Sequence, residues 1–221
     1  MAETKAYALF DFDGTLSKGD SILPFLWYCF CHKQAGLKDL WRAANAWLDY
    51  ALKIHDDTQA KALTMAFLKG KTAQEVEALS EKFYQDKLMK RIFPQGVWEL
   101  QKCREEGLEI LIITASPEIY LRVLKKRLGV SEVIGTGCET DADGVYTGRL
   151  STPNCRGDEK PRRIRAYLRA SEQELDEANS RAYGNSTGDL PMLAMAAQPV
   201  VVNGSQRLKA ALPQARQAQW K

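Results

Sequence analysis

The chain predicts an α/β fold, a doubly wound parallel sheet interrupted by an inserted α-helical segment. Three observations predict it. Near the start, the apolar run Tyr7-Ala8-Leu9-Phe10 reads as a buried strand and leads into Asp11-Phe12-Asp13-Gly14-Thr15-Leu16. Between Ile22 and about Met89 the periodic stretches are all helical, with no strand signal. From Leu108 onward, beginning with the aliphatic run Leu108 to Thr114, strands alternate with helices, as in a sheet covered on both faces.

The elements follow in order. Ser17-Lys18-Gly19-Asp20-Ser21 is a polar turn; Asp20 or Ser21 can cap the next helix, with Pro24 in its first turn. Leu37, Leu40, Trp41, Ala44, Trp47, Leu48, Ala51 and Leu52 recur at helical spacing, opposite Lys38, Asp39, Arg42, Asn45, Asp49 and Lys53. A second amphipathic stretch runs from about Thr58 to Leu68. A third opens at the capping box Thr72-Ala73-Gln74-Glu75. The large apolar residues Phe25, Leu26, Trp27, Tyr28, Phe30, Trp41 and Trp47 are expected mostly to fill the core of this insertion. Pro94-Gln95-Gly96 marks the return to the sheet, and the helix Val97 to Glu106 stops at Gly107. Pro117 is expected to open a helix that ends at Gly129. Val133-Ile134 is a short strand, and Asp141-Ala142-Asp143-Gly144 turns a hairpin between about Thr140 and Leu150. A helix from about Lys160 to Arg169, a strand ending at Gly184, a helix from Leu190 to Ala197 and a last strand at Val200-Val201-Val202 complete the reading. The domains expected are 1–16 with 94–221 for the α/β core, and 17–93 for the helical insertion.

Composition narrows the classes. The 221 residues, 45% hydrophobic, suit one domain with a sizeable insertion. The net charge of +3 comes with no basic stripe, which argues against nucleic acid. Cys29, Cys31, Cys103, Cys138 and Cys155 contain no C-x-x-C pair, so zinc and dithiol chemistry are not expected and free thiols are. The longest strongly apolar run, Ile22 to Cys31, is about ten residues, against the ~20 of a membrane span. Met1 to Lys5 leads straight into a core strand, leaving no room for a signal peptide, so a cytoplasmic location is expected.

Four places carry candidate chemistry. Asp11 and Asp13 stand two residues apart at a strand's C-terminal end, where open α/β sheets bind ligands. Two acids so close repel unless one is protonated or a cation such as Mg²⁺ lies between them. Thr114-Ala115-Ser116 ends the aliphatic strand, and a hydroxyl there is a phosphate seat, although either hydroxyl would also serve as a plain helix cap. Lys160 lies at a helix start, where the helix dipole disfavours a cation unless something negative offsets it. Asn185 to Asp189 forms the loop after a later strand.

In this order the four places resemble the motifs of the haloacid dehalogenase (HAD) superfamily. Asp11 to Leu16 is similar to its motif I, D-x-D-G-T-L. The resemblance implies a nucleophilic Asp11 that forms an aspartyl-phosphate and an acid/base Asp13. Thr114 is matched to the motif II hydroxyl, with Ser116 as the second choice. Cys155-Arg156-Gly157-Asp158-Glu159-Lys160 resembles motif III of the subgroup that contains phosphoserine phosphatase. Asn185-Ser186-Thr187-Gly188-Asp189 is similar to motif IV, but Asn185 stands where aspartate is common. The resemblance implies Mg²⁺ held by Asp11, Asp13 and Asn185 or Asp189, with Ala115 and Ser116 beside the substrate phosphate. It also implies a C1-type cap and subfamily IB, with Asp20 where phosphoserine phosphatases carry an amine-binding glutamate. The expected partner is a small phosphomonoester, such as phosphoserine or another amino-bearing ester. A lipid phosphate, a phosphoryl acceptor other than water, and a non-catalytic binding role are the alternatives.

Overall fold

A computed structural model describes residues 3–221. In chain order the elements are β1 (Glu3–Lys5), β2 (Tyr7–Phe10), α1 (Ile22–Cys31), α2 (Leu37–Ala51), α3 (Asp57–Met65), α4 (Ala73–Phe83), α5 (Pro94–Glu105) and β3 (Glu109–Pro117). Then come α6 (Val123–Leu128), β4 (Glu132–Thr136), β5 (Cys138–Thr140), β6 (Tyr146–Leu150), α7 (Glu159–Ala170) and β7 (Gln173–Leu175). The chain closes with β8 (Arg181–Gly184), α8 (Leu190–Leu193), β9 (Gln198–Val202), α9 (Gln206–Ala211) and β10 (Arg216–Ala218).

Six strands form one parallel sheet in the order β10-β9-β8-β2-β3-β4. The chain moves one way from β2 to β3 and β4, then returns to the other side of β2 for β8, β9 and β10. The carboxyl end of β2 is therefore the switch point, where the crossovers diverge and leave a crevice. Strand β1 pairs with β7, and β5 with β6 as the expected hairpin.

Alternate residues of the central strands serve opposite faces. Ala8, Phe10, Ile110 and Ile112 join one buried cluster with Leu100 of α5 and Leu124 of α6. Tyr7, Leu9, Leu111 and Ile113 join the other with Ile164 of α7, Met192 of α8 and Leu208 of α9. Both faces are covered, so the strands are apolar at every position rather than alternating. Phe10 stacks on Tyr183 at 3.9 Å between ring centroids.

The helices α1 to α4 of the insertion are continuous with the first of these clusters. Phe25 packs on Phe83 and Tyr120, with centroids 5.1 and 4.5 Å apart. Thr72 caps α4 as expected, accepting the Glu75 N–H while Glu75 accepts the Thr72 N–H. Phe25, Leu26 and Tyr28 are buried, but Trp27 and Trp41 are 59% and 73% exposed, contrary to the core role expected of them. The cause lies in α2, whose helical apolar positions form two stripes. Leu40, Ala43, Ala46 and Trp47 turn inward, and the small alanines are buried. Leu37, Trp41 and Leu48 form the second stripe, which is left outside.

Other boundaries differ for local reasons. Pro117 ends β3 instead of opening a helix, and one 3₁₀ turn, Glu118–Tyr120, precedes α6. Strand β9 is not the last, because β10 adds an edge. The helix expected from Leu190 to Ala197 shortens to α8, four residues. Among the described residues no helix is long and apolar enough to cross a membrane, and all five cysteines are free.

The two apolar sets should respond differently to truncation. Phe83→Ala should cost about 3–5 kcal/mol, and Trp41→Ala no more than about 0.5 kcal/mol, in urea titrations. Equal losses would mean that the outer stripe of α2 is covered in solution.

Candidate active site

Every residue singled out from the sequence lines one cleft at the carboxyl ends of β2, β3 and β8. Asp11, Asp13, Asp20, Thr114, Ala115, Ser116, Lys160, Asn185 and Asp189 surround a cavity of about 220 Å³. That is smaller than the ~300–1,000 Å³ typical of drug-sized ligands.

Asp11 follows β2 directly, and its N–H donates to the Tyr183 carbonyl at 2.9 Å. Its side chain is buried and receives two donors. Thr15 Oγ1 donates to Oδ2 at 2.8 Å, and Lys160 Nζ donates to Oδ1 at 2.7 Å. Gly14 takes a φ of +81°, and a Cβ there would lie 2.1 Å from Asn185 Nδ2. Only glycine lets this turn pass so close to the opposite loop.

Lys160 is the second residue of α7 and is 1% exposed. Its ammonium donates to Asp11, to Asp189 Oδ1 at 2.6 Å and to the Ile113 carbonyl at 3.0 Å, which uses all three hydrogens. Two carboxylates thus offset the unfavourable dipole. Burial opposes the charged lysine, but Asp11 and Asp189 together hold its pKa above the ordinary value. Burial also opposes Asp189, yet Lys160 and the Ser186 donors keep that carboxyl below the usual range. Asp11 is raised, by burial first and by the Asp189 charge second.

Asp13 has different company. Ser116 Oγ donates to its Oδ2 at 2.5 Å, and no cation bonds to it among the described residues. Burial, and then the charge of Asp20, push its carboxyl up to about 7 against the opposing pull of the Ser116 and Ser21 hydroxyls. Ser116 therefore partners Asp13. Thr114, fully buried, accepts the Ser116 N–H at 3.0 Å, which leaves its hydroxyl hydrogen to point elsewhere. The Ala115 carbonyl is taken by Lys61 and Thr136.

In the last loop, Asp189 Oδ2 accepts from the N–H groups of Asn185 and Ser186 and from Ser186 Oγ at 3.2, 2.9 and 2.9 Å. Both of its oxygens are engaged. The Asn185 side-chain amide makes no hydrogen bond among the described residues and lies over Gly14. Asp20 is exposed at the rim, and its Oδ1 accepts the Ile22 N–H at 2.9 Å, one residue before the N-cap Ser21 of α1.

Seven further residues line the cleft. Arg156 and Ser186 stand inside the motif stretches and Trp47 among the aromatic residues of the insertion, but the sequence reading passed over Tyr50, Asp57, Lys61 and Asn154. Only Lys61 carried a signal. It interrupts the buried face of α3 beside Ala60, Thr64 and Met65, where a lysine is out of place.

Residues 8–194 match the family description "haloacid dehalogenase-like hydrolase". The chain belongs to that family. It is 29% identical to "Phosphoserine phosphatase SerB1" of Mycobacterium tuberculosis, over 97% of this chain and 69% of the relative. It is also 29% identical to "Histidinol-phosphatase" of Neisseria meningitidis, over 93% of each. Among solved structures, "Phospho-Aspartyl Intermediate Analogue of Phosphoserine phosphatase" superposes with a TM-score of 0.65 at 16% identity, covering 99% of this chain and 95% of that one. This HAD chain is an enzyme of the phosphatase class.

Removing the shared cation should expose the conflict it resolves. Lys160→Met should lose about 3–5 kcal/mol at pH 7, because two buried carboxylates then face each other unpaired. Their folded pKa values would stand above the unfolded ~3.9, so the native state binds extra protons. The deficit relative to the parent protein should therefore shrink as the pH falls from 7 to 5. Urea titrations that show the same deficit at both values would contradict this assignment.

Proposed function

We propose that this HAD phosphatase is a Mg²⁺-dependent phosphomonoesterase that works through an aspartyl-phosphate and takes a small, amino-bearing ester. One observation carries the reading: the two carboxyls of the first motif sit in opposite environments. Asp11 rests on an ammonium, which favours the ionised nucleophile. Asp13 rests on a hydroxyl with its pKa near neutrality, which favours the proton-bearing acid.

Asp11 attacks phosphorus, forming the Asp11–phosphorus bond as the ester oxygen departs. Asp13 gives its proton to that leaving oxygen. It then takes a proton from water, whose oxygen bonds to phosphorus as the Asp11–phosphorus bond breaks. The Thr114 hydroxyl faces the phosphoryl oxygens, and Lys160, its three hydrogens held by protein oxygens, offsets their charge through its field.

The donors fit a hard cation. The Asp11 carboxylate, the Asp13 backbone carbonyl and the Asn185 amide oxygen would hold Mg²⁺, all of them oxygen ligands. Asp189, with both oxygens engaged, would orient Lys160 and the loop instead. Among the described residues no three His, Cys, Asp or Glu side chains form a metal cage, so amide and backbone oxygens have to contribute. When bound, the ion screens repulsion between the nucleophile and the phosphate.

The helical insertion acts as the cap. Asp20, at the rim with one carboxylate oxygen unbonded among the described residues, suits a leaving-group ammonium. A second reading is favoured by Trp47 and Tyr50, whose rings meet at 89° and 5.7 Å on the same wall. A leaving group with both an amine and a flat ring would use both features, in keeping with the Neisseria relative's name.

Phosphate release from phosphoserine, phosphoethanolamine and histidinol phosphate, with and without Mg²⁺, tests these readings. Turnover should require the metal and prefer an amine-bearing ester. Asp11→Asn should fold normally yet lose several orders of magnitude in kcat. Near-parental turnover in that variant would eliminate the covalent route.

A further inference from the structure

Lys61 is a cap lysine buried to 6% exposure, and it makes no ion pair within 4.0 Å among the described residues. Its Nζ leaves α3, crosses to the sheet and donates to two neutral oxygens, the Ala115 carbonyl and Asn154 Oδ1, each at 2.6 Å. Burying a cation on neutral acceptors is costly, so the arrangement calls for a role. Thr136, at the end of β4, closes the knot. Its Oγ1 donates to the Ala115 carbonyl at 2.7 Å and accepts the Cys155 N–H at 3.2 Å. The helical insertion, β3, β4 and the loop before α7 thus meet on one peptide group.

That peptide joins Ala115 to Ser116. A cation on its carbonyl polarises the amide and strengthens its N–H as a donor. This N–H donates to Thr114 Oγ1 at 3.0 Å. With one lone pair so occupied, the Thr114 hydroxyl is oriented to give its hydrogen to an anion in the cleft. Lys61 is spent on protein oxygens and does not itself face the ester as a free cation.

We propose that Lys61 is a positioning residue, a latch from cap to core that acts through the Ala115–Ser116 peptide to set the phosphate-seating hydroxyl of Thr114. The assignment rests on the phosphomonoesterase reading above. It differs from a substrate contact in one consequence: its loss should affect all esters alike.

The test compares the parent protein, Lys61→Met and the milder Asn154→Ala, which removes one acceptor of the same ammonium. Kinetics on p-nitrophenyl phosphate and on the best amine-bearing ester are paired with peptide-level hydrogen exchange across residues 114–117 without substrate. Lys61→Met should lower kcat roughly 10- to 100-fold, by the same factor on both esters, with KM changed less. Exchange at 114–117 should accelerate in both variants. Should Lys61→Met fail to fold, Asn154→Ala carries the same expectations at smaller size. A loss confined to the amine-bearing ester would overturn the latch and make Lys61 a leaving-group contact. Unchanged kcat with unchanged exchange would overturn it as well. If the parent protein releases no phosphate from any ester while exchange still accelerates, the phosphomonoesterase reading fails and the cap-to-core bond itself stands.

Discussion

Lys160 Nζ ties together segments that are far apart in sequence. It holds Asp11 after β2, Asp189 after β8 and the Ile113 carbonyl of β3, and it is carried by α7. The interaction is buried and unbalanced: two carboxylates share one ammonium, and the set keeps a net negative charge in a poorly solvated place. Such a cluster persists only because each remaining oxygen is also satisfied, by Thr15 on Asp11 and by Asn185 and Ser186 on Asp189.

The same economy of donors separates the two acids of the first motif. Asp11 and Asp13 are two residues apart, yet they meet different partners where the chain leaves β2 and turns on the Phe12 carbonyl. An ammonium meets the first and a serine hydroxyl the second. Identical side chains thereby acquire different surroundings, an ion pair for one and a neutral donor for the other, although burial raises both carboxyls.

The helical insertion shows packing and chemistry sharing one element. Its aromatic centre, Phe25 with Phe83 and Tyr120, merges with the core of the sheet. From that shared core α3 sends Lys61 to the end of β3. The insertion is thus bound to the floor of the cleft by an apolar cluster and by a pair of short polar contacts.

Much of the fold was legible because its strands are doubly buried, and double burial leaves short uninterrupted apolar runs that end in polar turn residues, as at Asp11 and Thr114. The helical insertion, the hairpin and the Thr72 cap were legible for similar local reasons. The outer stripe of α2 was not, since periodicity marks an apolar face without saying whether a neighbour covers it. Strands β1, β7 and β10 are three-residue edges, too short to carry a period. The sequence by itself brought together the candidate set Asp11, Asp13, Thr114, Lys160, Asn185 and Asp189, because strand ends and helix starts can be read locally and the order of the four stretches resembles one family's motifs; the structure lines one cleft with them. Only the tertiary structure decided the pairing: Lys160 on Asp11 and Asp189, Ser116 on Asp13, Lys61 on Ala115 and Asn154. Those contacts join residues 29 to 149 positions apart, and a hydrogen bond over that separation depends on how crossovers bring strand ends together.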